Sequence, residues 1–273
     1  MTSFTERLHA IQSSQQSLLC IGLDTDITKL PSRLPRTPDG VLEFNKRIID
    51  ATHDLVCAFK LNLAFYEALG EQGWKVLHET RKQIPASVIA IADGKRGDIG
   101  NSSELYARSL INELRFDAST VHPYMGRDSL EPFFRVPEHG VFVLALTSNP
   151  GAKDLQYLKS GAKPLYEHVI TRVKRWNTNQ NLGLVAGATR PAQLKRIRSL
   201  APTLPLLIPG VGAQGGDLKR AVEYGCDKNG FLAIINAGRN IIYASQAGDF
   251  AAAARKAALT MRDEINQLRI KNS

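Results

Sequence analysis

A group of charged side chains follows one apolar run of the sequence, at the point where a buried strand should end. Residues 89–92 are Ile-Ala-Ile-Ala, and they lead directly into Asp93, Lys95 and Asp98. Alternation along a strand divides these residues into two faces, with Ile89, Ile91, Asp93 and Lys95 on one and Ala90, Ala92 and Gly94 on the other. An ammonium group held beside carboxylates can stabilise negative charge on a substrate or deliver a proton to it.

Two further charges lie in the preceding apolar runs. Lys60 stands inside the run 58–65, and Asp24 ends the run 18–24. An isolated buried charge costs several kcal/mol, so these groups should pair in an array of alternating sign. The array would then hold Asp24, Lys60, Asp93, Lys95 and Asp98. Alternatively, these residues are solvated charges at strand ends, or structural ion pairs that close the end of the fold.

Glycine-rich segments near the end of the chain suit an anionic ligand. The segment 209–217 is Pro-Gly-Val-Gly-Ala-Gln-Gly-Gly-Asp, and the later segment 236–240 contains Arg239. Glycines let a phosphate approach the backbone, and an arginine can bind it through two hydrogen bonds. The first segment also satisfies the GxGxxG pattern of dinucleotide-binding folds, but it leaves too little chain for such a half-domain. Its glycines could also serve only tight turns.

These residues must be positioned by strands and helices that alternate along the chain. Amphipathic segments, read as helices at 41–56, 102–114, 191–200 and 250–268, separate apolar runs that are continuous, as in strands buried on both faces. Eight such runs occur, at 18–24, 58–65, 87–95, 118–122, 141–148, 182–189, 204–212 and 231–239. The pattern predicts an α/β protein, a (β/α)8 TIM barrel in a single domain over residues 1–273. A doubly wound open sheet has the same local pattern, but the count and the length favour the barrel.

Composition narrows the class of protein and of partner. The 273 residues are 43% hydrophobic and 22% charged, which excludes disordered, collagen-like and coiled-coil chains. The net charge of +9 would suit a nucleic acid, an anionic substrate or a basic surface. Lys195, Arg196 and Arg198 cannot share one helical face, and no basic motif is interleaved with aromatic residues. We therefore expect no nucleic-acid partner.

Cysteine and histidine spacing gives no sign of a metal site. Cys20, Cys57 and Cys226 include no CxxC pair, and the six histidines show neither HxH nor HExxH spacing. No stretch approaches the length of a membrane span, and the first twenty residues do not resemble a signal peptide. We expect a soluble, cytoplasmic protein with no zinc site and no membrane partner.

Taken together, the motifs resemble those of the orotidine 5'-phosphate decarboxylase family, in particular its longer bacterial form (the type 2 subfamily). The resemblance runs in order over nearly the whole chain. Its motifs are Leu23-Asp24, Phe59-Lys60 with 63–67, Asp93-x-Lys95-x-x-Asp98-Ile99, 120–126, 146–151, 209–217 and Gly238-Arg239. One departure is Leu61-Asn62, where many longer members have Pro-Gln; it leaves Lys60 in place and puts only the local strand geometry in doubt.

The resemblance implies a dimeric barrel that converts orotidine 5'-monophosphate to uridine 5'-monophosphate and CO2 without a cofactor, the last step of de novo pyrimidine synthesis. It implies that Lys95 donates a proton to C6 and that Lys60, Asp93 and Asp98 complete the catalytic set. Because Asp93 and Asp98 flank Lys95, their charge should keep its ammonium protonated. The resemblance also implies that Asp98 and Ser102 reach into the neighbouring subunit's site.

The remaining site residues implied by the resemblance bind the substrate. Asp24 would hold the ribose hydroxyls and Ser148 the amide edge of the pyrimidine, and Lys60 would be a further substrate-binding residue. The phosphate group would lie among Gln214, Gly238 and Arg239, with Pro209 as a further binding residue. The nearest alternative is a related barrel that acts as a sugar-phosphate decarboxylase or synthase, which shares Asp-x-Lys-x-x-Asp but requires Mg²⁺.

Overall fold

Eight parallel strands close on themselves to form a barrel. The computed structural model describes residues 2–212 and 215–270. The barrel strands are β1 Leu19–Gly22, β2 Ala58–Asn62, β3 Ile89–Arg96, β4 Ala118–Val121, β5 Gly140–Leu146, β6 Leu182–Ala186, β7 Leu206–Pro209 and β8 Ala233–Ala237. Strands adjacent in sequence are adjacent in the barrel, and β1 pairs with β8 from Leu19 opposite Ile235. The predicted barrel is confirmed, and the open sheet is excluded.

Helices surround the barrel and connect its strands. Their bounds are α1 Phe4–Ser14, α2 Pro38–Thr52, α3 Leu63–Glu67, α4 Glu71–Gln83, α5 Gly100–Arg108, α6 Glu131–Phe134, α7 Ala152–Leu155, α8 Leu165–Trp176, α9 Pro191–Leu200, α10 Leu218–Gly225, α11 Arg239–Ile242 and α12 Phe250–Ile270. Short 3-10 turns occur at Ile27–Lys29 and His53–Leu55, a π turn at Ser109–Glu113, and an antiparallel pair at Lys159–Ser160 and Lys163–Pro164. Helix α9 has its predicted bounds, whereas α2 and α5 begin before the predicted 41 and 102.

The two faces of β3 pack as the alternation predicts. Ile89 and Ile91 belong to the cluster inside the barrel, together with Phe142 of β5. Ala90 and Ala92 belong to the outer cluster, between the strands and the helices. Small residues on the outer face allow the helices to pack closely against β3. The residues that follow on the inner face are therefore directed toward the open end of the barrel.

Strand β2 is shorter than the apolar run that predicts it. The strand ends at Asn62, and residues 63–65 of the predicted strand form the first turn of α3. The side-chain oxygen of Asn62 accepts a hydrogen bond from the amide of Ala64 at 3.2 Å, a typical N-cap interaction that starts a helix. The register of Leu61 and Asn62 opposite Ala92 and Asp93 is regular, so the unusual dipeptide leaves the strand geometry undisturbed.

Helix α1 closes the amino-terminal end of the barrel. Phe4 and Leu8 are fully buried in the inner cluster, and the Phe4 ring meets Phe142 edge to face at 5.8 Å between centroids. The buried side chain of Gln12 donates to the carbonyl of Ala233 at 2.8 Å and accepts from the amide of Leu232 at 3.0 Å. These two bonds fix α1 to β8 and to the residue that precedes it.

Candidate active site

Lys60 is buried at the carboxyl end of β2 between two carboxylates. Its Nζ lies 3.2 Å from Oδ1 of Asp24 and 3.1 Å from Oδ2 of Asp93. Burial alone would lower the pKa of Lys60, but the two carboxylates outweigh this effect and raise the pKa above its ordinary value. Lys60 is therefore a permanent cation that links the ends of three strands.

Asp93 lies at the centre of the charged array. One carboxylate oxygen accepts from Nζ of Lys95 at 2.7 Å and from the hydroxyl of Thr120 at 2.9 Å, and the other faces Lys60. Burial alone would raise the pKa of Asp93, but the two ammonium groups hold it well below its usual range. Asp93 therefore stays ionised at any pH at which an enzyme works.

Lys95 stands at an irregular position of β3. Its φ of 46° is in the left-handed region, and the pairing of β3 with β4 shifts register between Ala92 and Arg96. The amide of Lys95 donates to the hydroxyl of Thr120 at 2.9 Å, which holds the main chain at this shift. The side chain is 45% exposed, whereas that of Lys60 is 4% exposed. Of these two cations, Lys95 is the one that a ligand can reach.

The structure brings together four of the five predicted array residues, in the order Asp24, Lys60, Asp93 and Lys95. Asp98 is the exception, because its Oδ1 accepts from the amide of Ile99 and the described part of the chain shows no ion pair between Asp98 and Lys95. Asp98 instead lines a cavity of about 580 Å³ with Ser102, Trp74 and Tyr106. The predicted place of Asp98 beside Lys95 therefore stays a prediction that depends on a second chain.

A second cavity, of about 340 Å³, opens beside the array and shares Asp24 with it. Its volume is within the range of small-molecule sites. It is lined by Asp24, Asp26, Lys29, Asn62, Phe65, Gly210, Val211, Asn236, Gly238, Arg239 and Tyr243. The ends of β1, β2, β7 and β8 therefore surround one pocket that has carboxylates at one side and Arg239 at the other.

The loops after β7 and β8 approach each other closely at the edge of this pocket. Gly212 has a φ of 72°, and a Cβ there would come within 2.5 Å of the Asn240 amide nitrogen. The left-handed φ favours glycine at this position, and a larger residue would also have to displace the side chain of Asn240. Pro209 ends β7 opposite Asn236, and Gly238 immediately precedes α11, which Arg239 begins. The predicted ligand residue Gln214 lies outside the described residues.

Ser148 follows β5, the strand opposite β1 in the eight-stranded barrel. A Cβ at Gly187 would come within 3.0 Å of the Ser148 Cβ, so the ends of β5 and β6 are close at this point. Ser148 does not line the 340 Å³ pocket. Its predicted role would require a ligand that extends from that pocket across the mouth of the barrel.

Several polar residues of the site were not singled out by sequence. Thr120 bonds both Asp93 and Lys95, and Asn62 donates its amide to Oδ1 of Asp24 at 3.2 Å. Asn236 interrupts the apolar strand β8 as Lys60 interrupts β2, and that shared pattern was a usable signal. Lys29, in the loop after β1, gave no signal because many exposed loops contain a lysine.

The polar groups of the site pair with one another rather than form a cluster of metal ligands. Within residues 2–212 and 215–270, no group of three or more His, Cys, Asp or Glu side chains is placed to hold a metal ion. Over the same residues, no helix is both long enough and apolar enough to span a bilayer.

The sequence matches the model of the orotidine 5'-phosphate decarboxylase / HUMPS family over residues 17–257. A protein of Dehalococcoides mccartyi named orotidine 5'-phosphate decarboxylase is 51% identical over 270 residues, which are 97% of this chain and 98% of the relative. A protein of Thermomicrobium roseum with the same name is 47% identical over 98% of this chain and 96% of its own length.

Solved structures show the same similarity in three dimensions. The OMP decarboxylase of Leishmania donovani superposes with a TM-score of 0.86 and 41% identity, covering 98% of this chain and all of its own. This structural match agrees with the family match and the sequence relatives. The chain belongs to the orotidine 5'-phosphate decarboxylase / HUMPS family.

Proposed function

We propose that this protein decarboxylates orotidine 5'-monophosphate to uridine 5'-monophosphate, the last step of de novo pyrimidine synthesis. The observation that carries the proposal is the reachable ammonium of Lys95, held 2.7 Å from Asp93 at the mouth of a barrel of this family. Orotidine 5'-monophosphate carries a carboxylate and a phosphate. The two features of the site, a charged array and an arginine-lined pocket, suit these two groups.

The array supplies what this reaction requires. When the bond from C6 to the carboxylate breaks, the electron pair stays on C6, where no neighbouring group can delocalise it. Stabilising that carbanion requires a contribution toward the top of the ~8–23 kcal/mol that enzymes provide. A fixed ammonium at the developing charge is the strongest means available without a cofactor. Lys95 then transfers its proton to C6, CO2 leaves, and solvent reprotonates the exposed lysine.

The other contacts divide the substrate into three parts. In the proposal, Asp24 and Lys60 bind the ribose hydroxyls, and Ser148 binds the amide edge of the pyrimidine. Arg239 and the amide of Gly238 bind the phosphate, with Gln214 and Pro209 beside them. Binding the phosphate, far from the bond that breaks, can help to close the site and exclude water.

The direct test is the loss of orotidylate absorbance with purified protein in excess EDTA. We expect turnover and the release of uridine 5'-monophosphate and CO2. Turnover that stops in EDTA and returns with Mg²⁺ would favour the alternative, a metal-dependent sugar-phosphate enzyme. No release of CO2 from orotidylate under either condition would overturn the proposal.

We also propose a homodimer in which Asp98 and Ser102 complete the neighbouring site. Both residues line a cavity outside their own array, and Ile99, Leu105 and Tyr106 beside them are exposed apolar side chains. Burying such a patch against a second copy would remove apolar surface from water. The arrangement would bring each Asp98 to the Lys95 of the neighbouring chain.

Mixing two inactive variants tests this arrangement. Lys95→Ala and Asp98→Ala proteins, refolded together in equal amounts, should recover about one quarter of wild-type activity, because about half of the dimers are heterodimers and each heterodimer has one intact site out of two. Each variant alone should stay inactive, and sedimentation should give twice the chain mass. Monomers in sedimentation, or no recovery in verified heterodimers, would contradict the shared site.

The proposal includes a single barrel domain and a cytoplasmic location. The family match covers the whole strand region, from β1 to β8. The three cysteines are free thiols, which suits a reducing compartment. The proposed partners are the substrate and product nucleotides, with neither a nucleic acid nor a membrane.

A further inference from the structure

A buried polar cluster lies behind the carboxyl end of β1, between three helices. Its members are Thr25 after β1, Asn45 of α2, Tyr66 of α3 and Thr80 of α4. Each is at most 2% exposed. None of them lines the 340 Å³ pocket, so they are not placed to touch the ligand.

The cluster is fully connected by hydrogen bonds. The Asn45 amide nitrogen donates to the hydroxyl of Tyr66 at 3.2 Å and to that of Thr80 at 3.1 Å. The Asn45 amide oxygen accepts from the hydroxyl of Thr25 at 2.6 Å, and Tyr66 donates its own proton to the carbonyl of Leu23 at 3.0 Å. A buried amide with all these bonds made is rigid, and losing one leaves an unpaired polar group.

Two of these bonds bracket Asp24 in sequence. Tyr66 holds the carbonyl of Leu23, the residue before Asp24, and Asn45 holds the side chain of Thr25, the residue after it. The Asp24 carboxylate in turn faces Lys60 and accepts from the amide of Asn62. The backbone that carries the ribose-binding and lysine-pairing carboxylate is thus fixed on both sides from outside the barrel.

Tyr66 remains a donor under all working conditions. Burial, and secondarily the nearby Asp24 carboxylate, raise the pKa of its hydroxyl well above the ordinary value. Packing alone does not require the hydroxyl, because phenylalanine has nearly the same shape. The bond to the carbonyl of Leu23 is therefore the feature that distinguishes tyrosine at this position.

We propose that Tyr66 and Asn45 are positioning residues, which act on the substrate only through Asp24 by fixing the backbone of residues 23–25. The inference rests on the proposed function for its kinetic readout. A substitution of Tyr66 or Asn45 should therefore no longer alter substrate binding or turnover when the Asp24 carboxylate is absent. A purely structural role does not make this prediction.

A double-mutant cycle provides the test. Tyr66→Phe should lower kcat/KM for orotidylate, and the affinity for uridine 5'-monophosphate, by about tenfold, since small misplacements of binding groups cost this much. In an Asp24→Ala background the same substitution should change both quantities less than twofold. Thr25→Val should behave like Tyr66→Phe, and Thr25→Ser, which keeps the hydroxyl, should restore wild-type values.

A matched control lies at the other end of the same strand. Ser17 is fully buried, and its hydroxyl also donates to a carbonyl, that of Leu55 at 2.7 Å. Ser17→Ala should lower the melting temperature, as Tyr66→Phe does, and leave nucleotide binding unchanged.

The outcomes separate this inference from the proposed function. Equal losses from Tyr66→Phe with and without the Asp24 carboxylate, or unchanged binding in folded Tyr66→Phe and Thr25→Val proteins, would overturn the positioning role. A wild-type protein that binds uridine 5'-monophosphate but does not decarboxylate orotidylate would overturn the proposed function. In that case the double-mutant cycle would still test the positioning role, through the affinity for uridine 5'-monophosphate.

Discussion

Two aspartates at opposite ends of the barrel, both with little exposed side-chain surface, each lie between two cations, and the two pairs of cations differ in their exposure. Asp93 at the carboxyl end is 11% exposed and lies between Lys60 and Lys95. Asp117 at the amino end is 12% exposed and lies between Arg7 at 2.7 Å and Arg81 at 3.2 Å. By charge and burial alone, neither cluster could be identified as the functional one.

The two clusters differ in the hydrogen-bond partners and the exposure of their cations. At the amino end, Arg81 also donates to the carbonyls of Arg115 and Ile84, and Asp117 accepts from the amide of Ala90, so both groups are tied to the main chain. Arg7, the more exposed of the two arginines, is 31% exposed. At the carboxyl end, Lys95 is 45% exposed and faces the mouth. A charge cluster becomes a candidate for chemistry when one of its members keeps donors available to a ligand.

The largest expected effect comes from removing the exposed cation at the carboxyl end. Lys95→Ala should lower kcat by about 10³-fold or more, since even one fixed donor to a developing anion is worth 10²–10³-fold. Arg7→Ala, the matched change at the amino end, should leave kcat within about twofold once the folded fraction is allowed for. Equal turnover numbers for the two variants would remove the distinction between the clusters.

The second prediction is that the amino-end cluster contributes to stability rather than to turnover. Asp117→Asn should lower the free energy of unfolding by about 2 kcal/mol, because it removes the counter-charge of two partly buried arginines, Arg7 and Arg81. The turnover of the remaining folded molecules should not change. Urea denaturation and active-site titration measure the two quantities, and a stable but inactive Asp117→Asn protein would contradict the structural assignment.

The third prediction uses pH to separate the two ends. His139, buried beside the start of β5, bonds Ser119 and the carbonyl of Phe116, and burial lowers its pKa to about 4. The unfolded chain binds this proton first as the pH falls, so stability should decrease by about 3 kcal/mol between pH 6.5 and 4.

His139→Gln should flatten that part of the profile, as measured by urea denaturation at several pH values. Asp93 and Lys60, at the carboxyl end, should contribute no slope over the same range. The depressed pKa of Asp93 keeps its contribution intact above the unfolded value near 4, and the raised pKa of Lys60 keeps its contribution intact below about 10. A slope that persists in His139→Gln would assign the acid sensitivity elsewhere.

The smallest expected effect is at the rim of the pocket. Lys29 lines it beside Arg239, and its ammonium is 3.5 Å from Asp26. Lys29→Gln should raise KM for orotidylate about twofold at low salt, and the difference should fade as salt screens the charge. The matched change of an exposed lysine remote from the pocket, Lys82→Gln, should leave KM unaltered at every salt concentration.

Sequence predicted the fold and the array because both depend on local alternation. The eight apolar runs can be read from the sequence directly, and the inward face of β3 follows from the two-residue alternation of side chains along a strand. Charges at the carboxyl ends of such runs must meet at one end of a barrel. The end of β2 was missed because the apolar residues 63–65 suit a strand and a helix equally well. The residue that ends the strand is the polar Asn62, which caps α3.

Other features depend on contacts between distant segments, which no local pattern encodes. The Asp117 cluster joins α1, α4 and the start of β4, and the Asn45 network joins three helices. Asp98 lies in the predicted motif, but its placement depends on a turn of the backbone and, in the proposed dimer, on a second chain.

The helix that closes the amino end of the barrel has a consequence for the order in which products depart. Among the described residues, Phe4, Leu8 and Gln12 seal the floor of the barrel, so in the proposed reaction carbon dioxide formed above Asp93 leaves through the entrance used by the nucleotide. The gas is small and uncharged, whereas in the proposed site the nucleotide is held by its phosphate. In the proposed reaction, the gas therefore escapes past a nucleotide that is still bound, and the nucleotide leaves last.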